Sequence, residues 1–115
     1  MVARMIDPRT AFRNMRFKDG VAEWTVPEDS PYFAGHFPNH PVFPAVAIVD
    51  ASVYLLTEYL RKPDPRSVPS AKFMSPITPG QNVRVELKNL NETEWAVEWK
   101  DQTSGRLAAT LRIRL

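Results

Sequence analysis

From Ala45 to about Leu60 the chain has neither glycine nor proline and is apolar on nearly every side. That length predicts a helix of about four turns. A helix apolar all round is buried rather than laid on a surface. Pro44 suits its first turn, Arg61 and Lys62 complement the negative end of its dipole, and Pro63 stops it. The rest of the chain therefore has to cover this one helix.

Elsewhere the pattern has period two. Lys18-Asp19-Gly20-Val21 predicts a tight hairpin turn with positive φ. Its strands are expected at about 12–18 and 21–26, with Ala22, Trp24 and Val26 on one face. Residues 27–44 read as a long loop, which in a small domain is usually functional. Four strands are expected after the helix. The first is short, Ser70 to Ser75. In the others Val83, Val85 and Leu87, then Trp95, Val97 and Trp99, then Leu107, Ala109, Leu111, Ile113 and Leu115 form the apolar faces. One apolar and one polar face per strand is the mark of an antiparallel sheet. The expected fold is α+β, one domain over residues 1–115, with about six antiparallel strands wrapped round the helix.

Composition narrows the chemistry. The chain of 115 residues has no cysteine, which excludes disulfides, thiol catalysis and cysteine-based zinc sites. A net charge of +2 is too small to argue for nucleic acid. The N-terminus has no apolar core of signal-peptide length, and no apolar run approaches a membrane span, so a cytoplasmic location is expected. A lone domain of this size buries only about two-thirds of its unfolded surface, which leaves room for a partner subunit to contribute.

Two titratable groups flank the start of the helix. His36 sits in the proline-stiffened loop and Asp50 stands alone among apolar residues. A base near neutral pH and an acid in apolar surroundings suit proton transfer. The plainer readings are a structural hydrogen-bonding histidine and a carboxylate satisfied by backbone amides. His40 follows His36 at a helical metal-pair spacing. Pro38 and Pro41 argue against a helix there, and no third ligand is evident, so no metal is expected.

The segment Tyr32-Phe33-Ala34-Gly35-His36-Phe37-Pro38-Asn39-His40-Pro41-Val42-Phe43-Pro44 resembles the active-site motif of the beta-hydroxyacyl-acyl-carrier-protein dehydratases. In that motif Glu or Asp follows the histidine by fourteen residues, the position of Asp50. Lys72-Phe73-Met74-Ser75-Pro76-Ile77-Thr78-Pro79-Gly80 is similar to the family's second block. The resemblance covers roughly residues 12–114 in element order, and is specific in the two blocks. The family's glycine after the last proline is Ala45 here. The acid is Asp, as in the branch that also isomerises the double bond, and the family's glutamine four residues later is Tyr54.

The resemblance implies a hot-dog fold, usually dimeric, acting on acyl chains thioester-linked to acyl carrier protein without a cofactor. It implies that His36 and Asp50 are catalytic and that the two come from opposite subunits. It places Phe37, Pro44, Phe73, Tyr54 and the amides of Ala45 and Val46 at the substrate. Helix-start amides are unpaired donors at the positive end of a dipole, suited to polarising a thioester carbonyl. Tyr54 lies one helical turn beyond Asp50 on the same side, where its hydroxyl is expected to hold the carboxyl or a water; the other reading is packing. The Phe73–Gly80 block is expected to be a strand and turn closing one wall of the acyl tunnel. Arg61, Lys62, Arg66 and Lys72 are either steering charges for an acidic carrier protein or simply solvated. A hot-dog thioesterase, and an acyl-carrier-binding partner subunit with weakened catalysis, are the alternatives. A homodimer, a higher oligomer or pairing with a related subunit is expected, with no nucleic acid and no membrane.

Overall fold

The computed structural model describes residues 7–33 and 42–115. The elements are α1 (Pro8–Ala11), β1 (Arg16–Lys18), β2 (Val21–Thr25), a 3-10 turn (Pro31–Phe33), α2 (Ala45–Tyr54) with a π-helical continuation (Leu55–Tyr59), β3 (Ser67–Phe73), β4 (Asn82–Asn89), β5 (Glu94–Asp101) and β6 (Leu107–Arg114). Among the described residues the six strands form one antiparallel sheet in the order β1-β2-β4-β5-β6-β3. An α+β fold with one sheet against one long helix is what the periodicities predicted.

The alternation sorts side chains as expected. Ala22, Trp24 and Val26, then Val83, Val85 and Leu87, then Val97 and Trp99, then Ala109, Leu111 and Ile113 are all buried. They join Ala47, Ile48, Ala51, Leu55 and Leu56 of the helix in one core. The opposite sheet face carries charge: Lys88 reaches Glu98 at 3.1 Å and Lys100 reaches Glu86 at 3.2 Å. Such half-exposed pairs contribute little stability.

The hairpin turn has the backbone its sequence calls for. Asp19 and Gly20 both take positive φ, 52° and 79°. A Cβ on Gly20 would meet the Leu87 carbonyl oxygen at 3.3 Å, so glycine also permits the close approach of β4.

Four expectations change. The first strand does not begin near residue 12. Asp7 caps a short helix, its Oδ1 accepting from the Arg9 amide at 3.0 Å, with Pro8 in the first turn. Asn14 then takes φ 68°, which delays the strand to Arg16. Strand β3 runs from Ser67 to Phe73, earlier and longer than 70–75, with an irregularity between Ser67 and Ser70. The long helix widens to π geometry over its last five residues, where the Leu60 amide bonds back to the Leu55 carbonyl at 3.2 Å. Tyr59 there stacks on Phe17 of β1, with centroids 5.1 Å apart. Finally, among the described residues the sheet covers one side of the helix and leaves part of its surface open. Ala45 is exposed, Val46 is 59% exposed, and Val49 and Val53 are half-buried. A single sheet covers one side of a helix, and the outward side stays apolar.

The helix is tied to the sheet by one buried polar link. Trp99 Nε1 donates to Ser52 Oγ at 2.9 Å, and Ser52 Oγ donates to the Ile48 carbonyl at 2.7 Å. Both residues are fully buried. Replacing Ser52 with alanine strands the indole N–H, and should cost about 1–3 kcal/mol. Chemical denaturation of Ser52→Ala beside the parent protein checks this; an unchanged midpoint would show that the link contributes nothing.

No helix among the described residues is long and apolar enough to cross a membrane.

Candidate active site

Asp50 lies in the second turn of α2, half-buried, on the side not filled by the sheet's core residues. Its Oδ2 accepts a hydrogen bond from the Tyr32 hydroxyl at 2.7 Å. Tyr32 arrives from the 3-10 turn that opens the proline-rich segment, and is 6% exposed. Its ring stacks on Phe12, 5.7 Å between centroids and 13° between planes, and meets Phe43 edge-on at 5.8 Å. The Tyr32 amide donates to the Ser30 hydroxyl at 3.3 Å. The ring is thus fixed by packing before its hydroxyl reaches the carboxylate.

Tyr54 does not take the place expected for it. Its ring lies against Phe12 at 5.4 Å and edge-on to Tyr59 at 6.0 Å, and the bond to Asp50 comes from Tyr32 instead. Burial first, and then the neighbouring Tyr59 and Glu58, push the Tyr54 phenol above its ordinary range, so it stays neutral at physiological pH. The Tyr54 ring packs against Phe12 and Tyr59, and among the described residues its hydroxyl does not bond to Asp50. The i to i+4 spacing placed it near the right side of the helix, but an aromatic arm follows its ring contacts rather than its hydroxyl.

Tyr32 is the partner of Asp50 that sequence reasoning missed. The signal was slight: a tyrosine in the motif segment, where a buried phenol needs a partner. Nothing local shows that the partner lies eighteen residues along the chain, on a helix.

The start of α2 is open. Pro44 is the N-cap residue, with extended backbone and no side-chain cap. Its carbonyl accepts from Ala47 at 2.9 Å and Ile48 at 3.2 Å. The amides of Ala45 and Val46 meet no acceptor among the described residues, and both residues are exposed. They are donors at the positive end of a ten-residue helix.

The two motif blocks meet at that helix start. The Phe43 amide donates to the Ile77 carbonyl at 2.6 Å. Beside this bond lies a cavity of about 360 Å³, lined mainly by Phe43, Pro44, Ala45, Ile48, Phe73 and Met74. The second block is a strand end followed by a turn, with Gly80 at φ 79°. A larger cavity, about 900 Å³, lies by β1 and β2 and is lined by charged residues including Arg13, Arg16, Glu23 and Asp29. It shares no lining residue with the first, and its Arg13 and Asp29 are paired with each other at 2.7 Å. The first cavity is mainly apolar and adjoins helix-start amides that meet no acceptor among the described residues; the second is charged. His36, Phe37 and His40 lie outside the described residues.

Known proteins resemble this chain along most of its length. The family model described as ApeI dehydratase, ApeI-like, matches residues 13–111. A 3-hydroxyacyl-[acyl-carrier-protein] dehydratase FabZ of Geotalea uraniireducens is 29% identical over 99% of this chain and 83% of that protein. The FabZ of Vibrio cholerae is 34% identical over 76% of this chain and 63% of that protein. The solved dehydratase heterocomplex ApeI:P from Xenorhabdus doucetiae has a chain that superposes with a TM-score of 0.73 at 22% identity, covering 82% of this chain and 83% of that one. That likeness shows the hot-dog fold. The family match reaches from the residue after Phe12 to Leu111 in β6, and takes in Tyr32, the open helix start and Asp50. The chain belongs to the ApeI-like dehydratase family.

Proposed function

We propose that this chain removes water from a 3-hydroxyacyl thioester carried on acyl carrier protein, giving the trans-2-enoyl thioester, in cytoplasmic fatty-acid or related lipid or polyketide-type biosynthesis. The carrying observation is Asp50: a carboxyl group held at 2.7 Å by a buried tyrosine, on the helix whose first amides open beside an apolar cavity. The names of the FabZ relatives supply the substrate class.

In this reading the imidazole of His36 takes the C2 proton. The amides of Ala45 and Val46 donate to the thioester carbonyl as negative charge gathers on its oxygen. Asp50 gives a proton to the departing 3-hydroxyl, which leaves as water. The electron pair of the C2–H bond becomes the new double bond. A methyl at Ala45 keeps the donor N–H, at the cost of some room beside it. Phe37, Pro44 and Phe73 would border the acyl chain.

A second copy of the chain would complete the site, with His36 and Asp50 meeting across the interface. The exposed edge strand β3 and the apolar side chains of Val46, Val68, Phe73 and Met74 support this. An unpaired strand edge is a template for another strand. The Xenorhabdus relative was solved as a heterocomplex, which makes a related subunit the other occupant. Arg61, Arg66 and Lys72 are exposed and would steer an acidic carrier; Lys62 stands over the Trp95 ring at 5.5 Å.

The test is incubation with 3-hydroxyacyl carrier proteins of several chain lengths, following enoyl product and free thiol by mass. Enoyl product without thiol release is expected. Thiol release would make the chain a thioesterase, and no turnover by a folded oligomer would sink the enzymatic reading.

A further inference from the structure

We infer that Tyr32 is a positioning residue for Asp50, fixing the carboxyl that protonates the leaving hydroxyl; this rests on the dehydratase reading above. The geometry points to it in three ways. The hydroxyl donates to Asp50 Oδ2 at 2.7 Å, a well-formed O–H···O hydrogen bond. Tyr32 is almost wholly buried and Asp50 half-buried, so the bond is partly sheltered from solvent. Its ring is clamped between Phe12 and Phe43, which leaves the hydroxyl little freedom.

Asp50 needs such a partner. Aspartate is one methylene shorter than glutamate, and has two rotatable side-chain bonds with which to find its place. No other hydrogen bond to its carboxylate exists among the described residues. With Oδ2 fixed by Tyr32, Oδ1 is the oxygen left to carry and deliver the proton. Tyr32 belongs to the Pro31–Phe33 turn, so the bond ties that turn to the helix bearing Asp50. Tyr54, on the same side of α2, is excluded from this role by its ring contacts.

The test is Tyr32→Phe, which keeps the ring stacking and removes only the hydroxyl. A misplaced acid slows the chemical step without weakening substrate binding, so kcat should fall about tenfold or more with KM within about twofold of the parent. Tyr59→Phe should leave kcat within about twofold, since Tyr59 stacks on Phe17 of β1 and makes no bond to the acid among the described residues. A second readout needs no turnover: with aspartate carboxyls labelled with ¹³C, the Asp50 resonance should move in Tyr32→Phe and stay in Tyr59→Phe. An unchanged kcat in Tyr32→Phe beside an active parent would overturn the inference alone. So would a loss expressed wholly in KM, or an unmoved Asp50 resonance. Absence of turnover in the parent protein would overturn the dehydratase reading and this inference together.

Discussion

Asp50→Asn should lower kcat for dehydration by at least about a hundredfold, the low end of what a positioned acid or base contributes, while leaving the fold intact. Asparagine matches aspartate in shape, and its carbonyl oxygen can still accept from the Tyr32 hydroxyl. What it cannot do is release a proton to a departing hydroxyl. Stability should change little, because Asp50 is half-buried, has no ion-pair partner among the described residues, and lies beyond the first turn where the helix dipole would favour a negative charge. Steady-state kinetics and a thermal melt on the same preparation check both halves. A parental rate in a folded Asp50→Asn protein would remove Asp50 from proton transfer and return it to the role of a structural acceptor for Tyr32. The same variant separates dehydration from weak carrier binding, since binding of the acyl carrier should survive the substitution.

Much of the architecture was legible because it rests on periodicity. Val83, Val85 and Leu87 are apolar at every second position and all three are buried; the glycine-free run from Ala45 is helical from its first residue. The hairpin was legible because Asp19-Gly20 has few other uses. The π-helical widening was not; it coincides with the stacking of Tyr59 on Phe17, forty-two residues away, a contact with no local signature. The start of β1 was obscured by apolar Phe12, which extends the strand pattern backwards although Asp7-Pro8 had already set a helix start. The one-sided cover of α2 was hidden for a different reason. An all-round apolar helix reads the same whether its second side meets this chain or another.

The same asymmetry governs the candidate site. Isolation in an apolar run, and the position the family resemblance gives the acid, marked Asp50; helix geometry marked the amides of Ala45 and Val46. The identity of the group that holds the carboxylate was invisible, since a hydrogen bond between a 3-10 turn and a helix has no local signature. Tyr54 had the better spacing and Tyr32 the better geometry. Local periodicity can nominate the side of a helix, but only the packed structure assigns the partner.

His36→Ala should also cost about 10²–10⁴ in kcat, as loss of a general base does, and the largest effect should appear with the best substrate. Imidazole titrates near neutral pH without strong tuning, so it can take a C2 proton and return it each cycle. Alanine offers nothing in its place, and water is a poor base. The informative experiment combines this variant with Asp50→Asn. If one chain's histidine works with the other chain's acid, a mixed dimer of the two variants holds one intact site and one doubly damaged site. Random exchange then makes about half the dimers mixed and restores about a quarter of the parental rate from two inactive preparations. If both groups act within one chain, no mixture recovers activity. Unchanged activity of His36→Ala alone, or of its complex with a related subunit, would favour the reading of this chain as an acyl-carrier-binding partner. The exposed edge of β3 and the apolar side of α2 make the mixed site the expected outcome, since both surfaces lack a cover among the described residues.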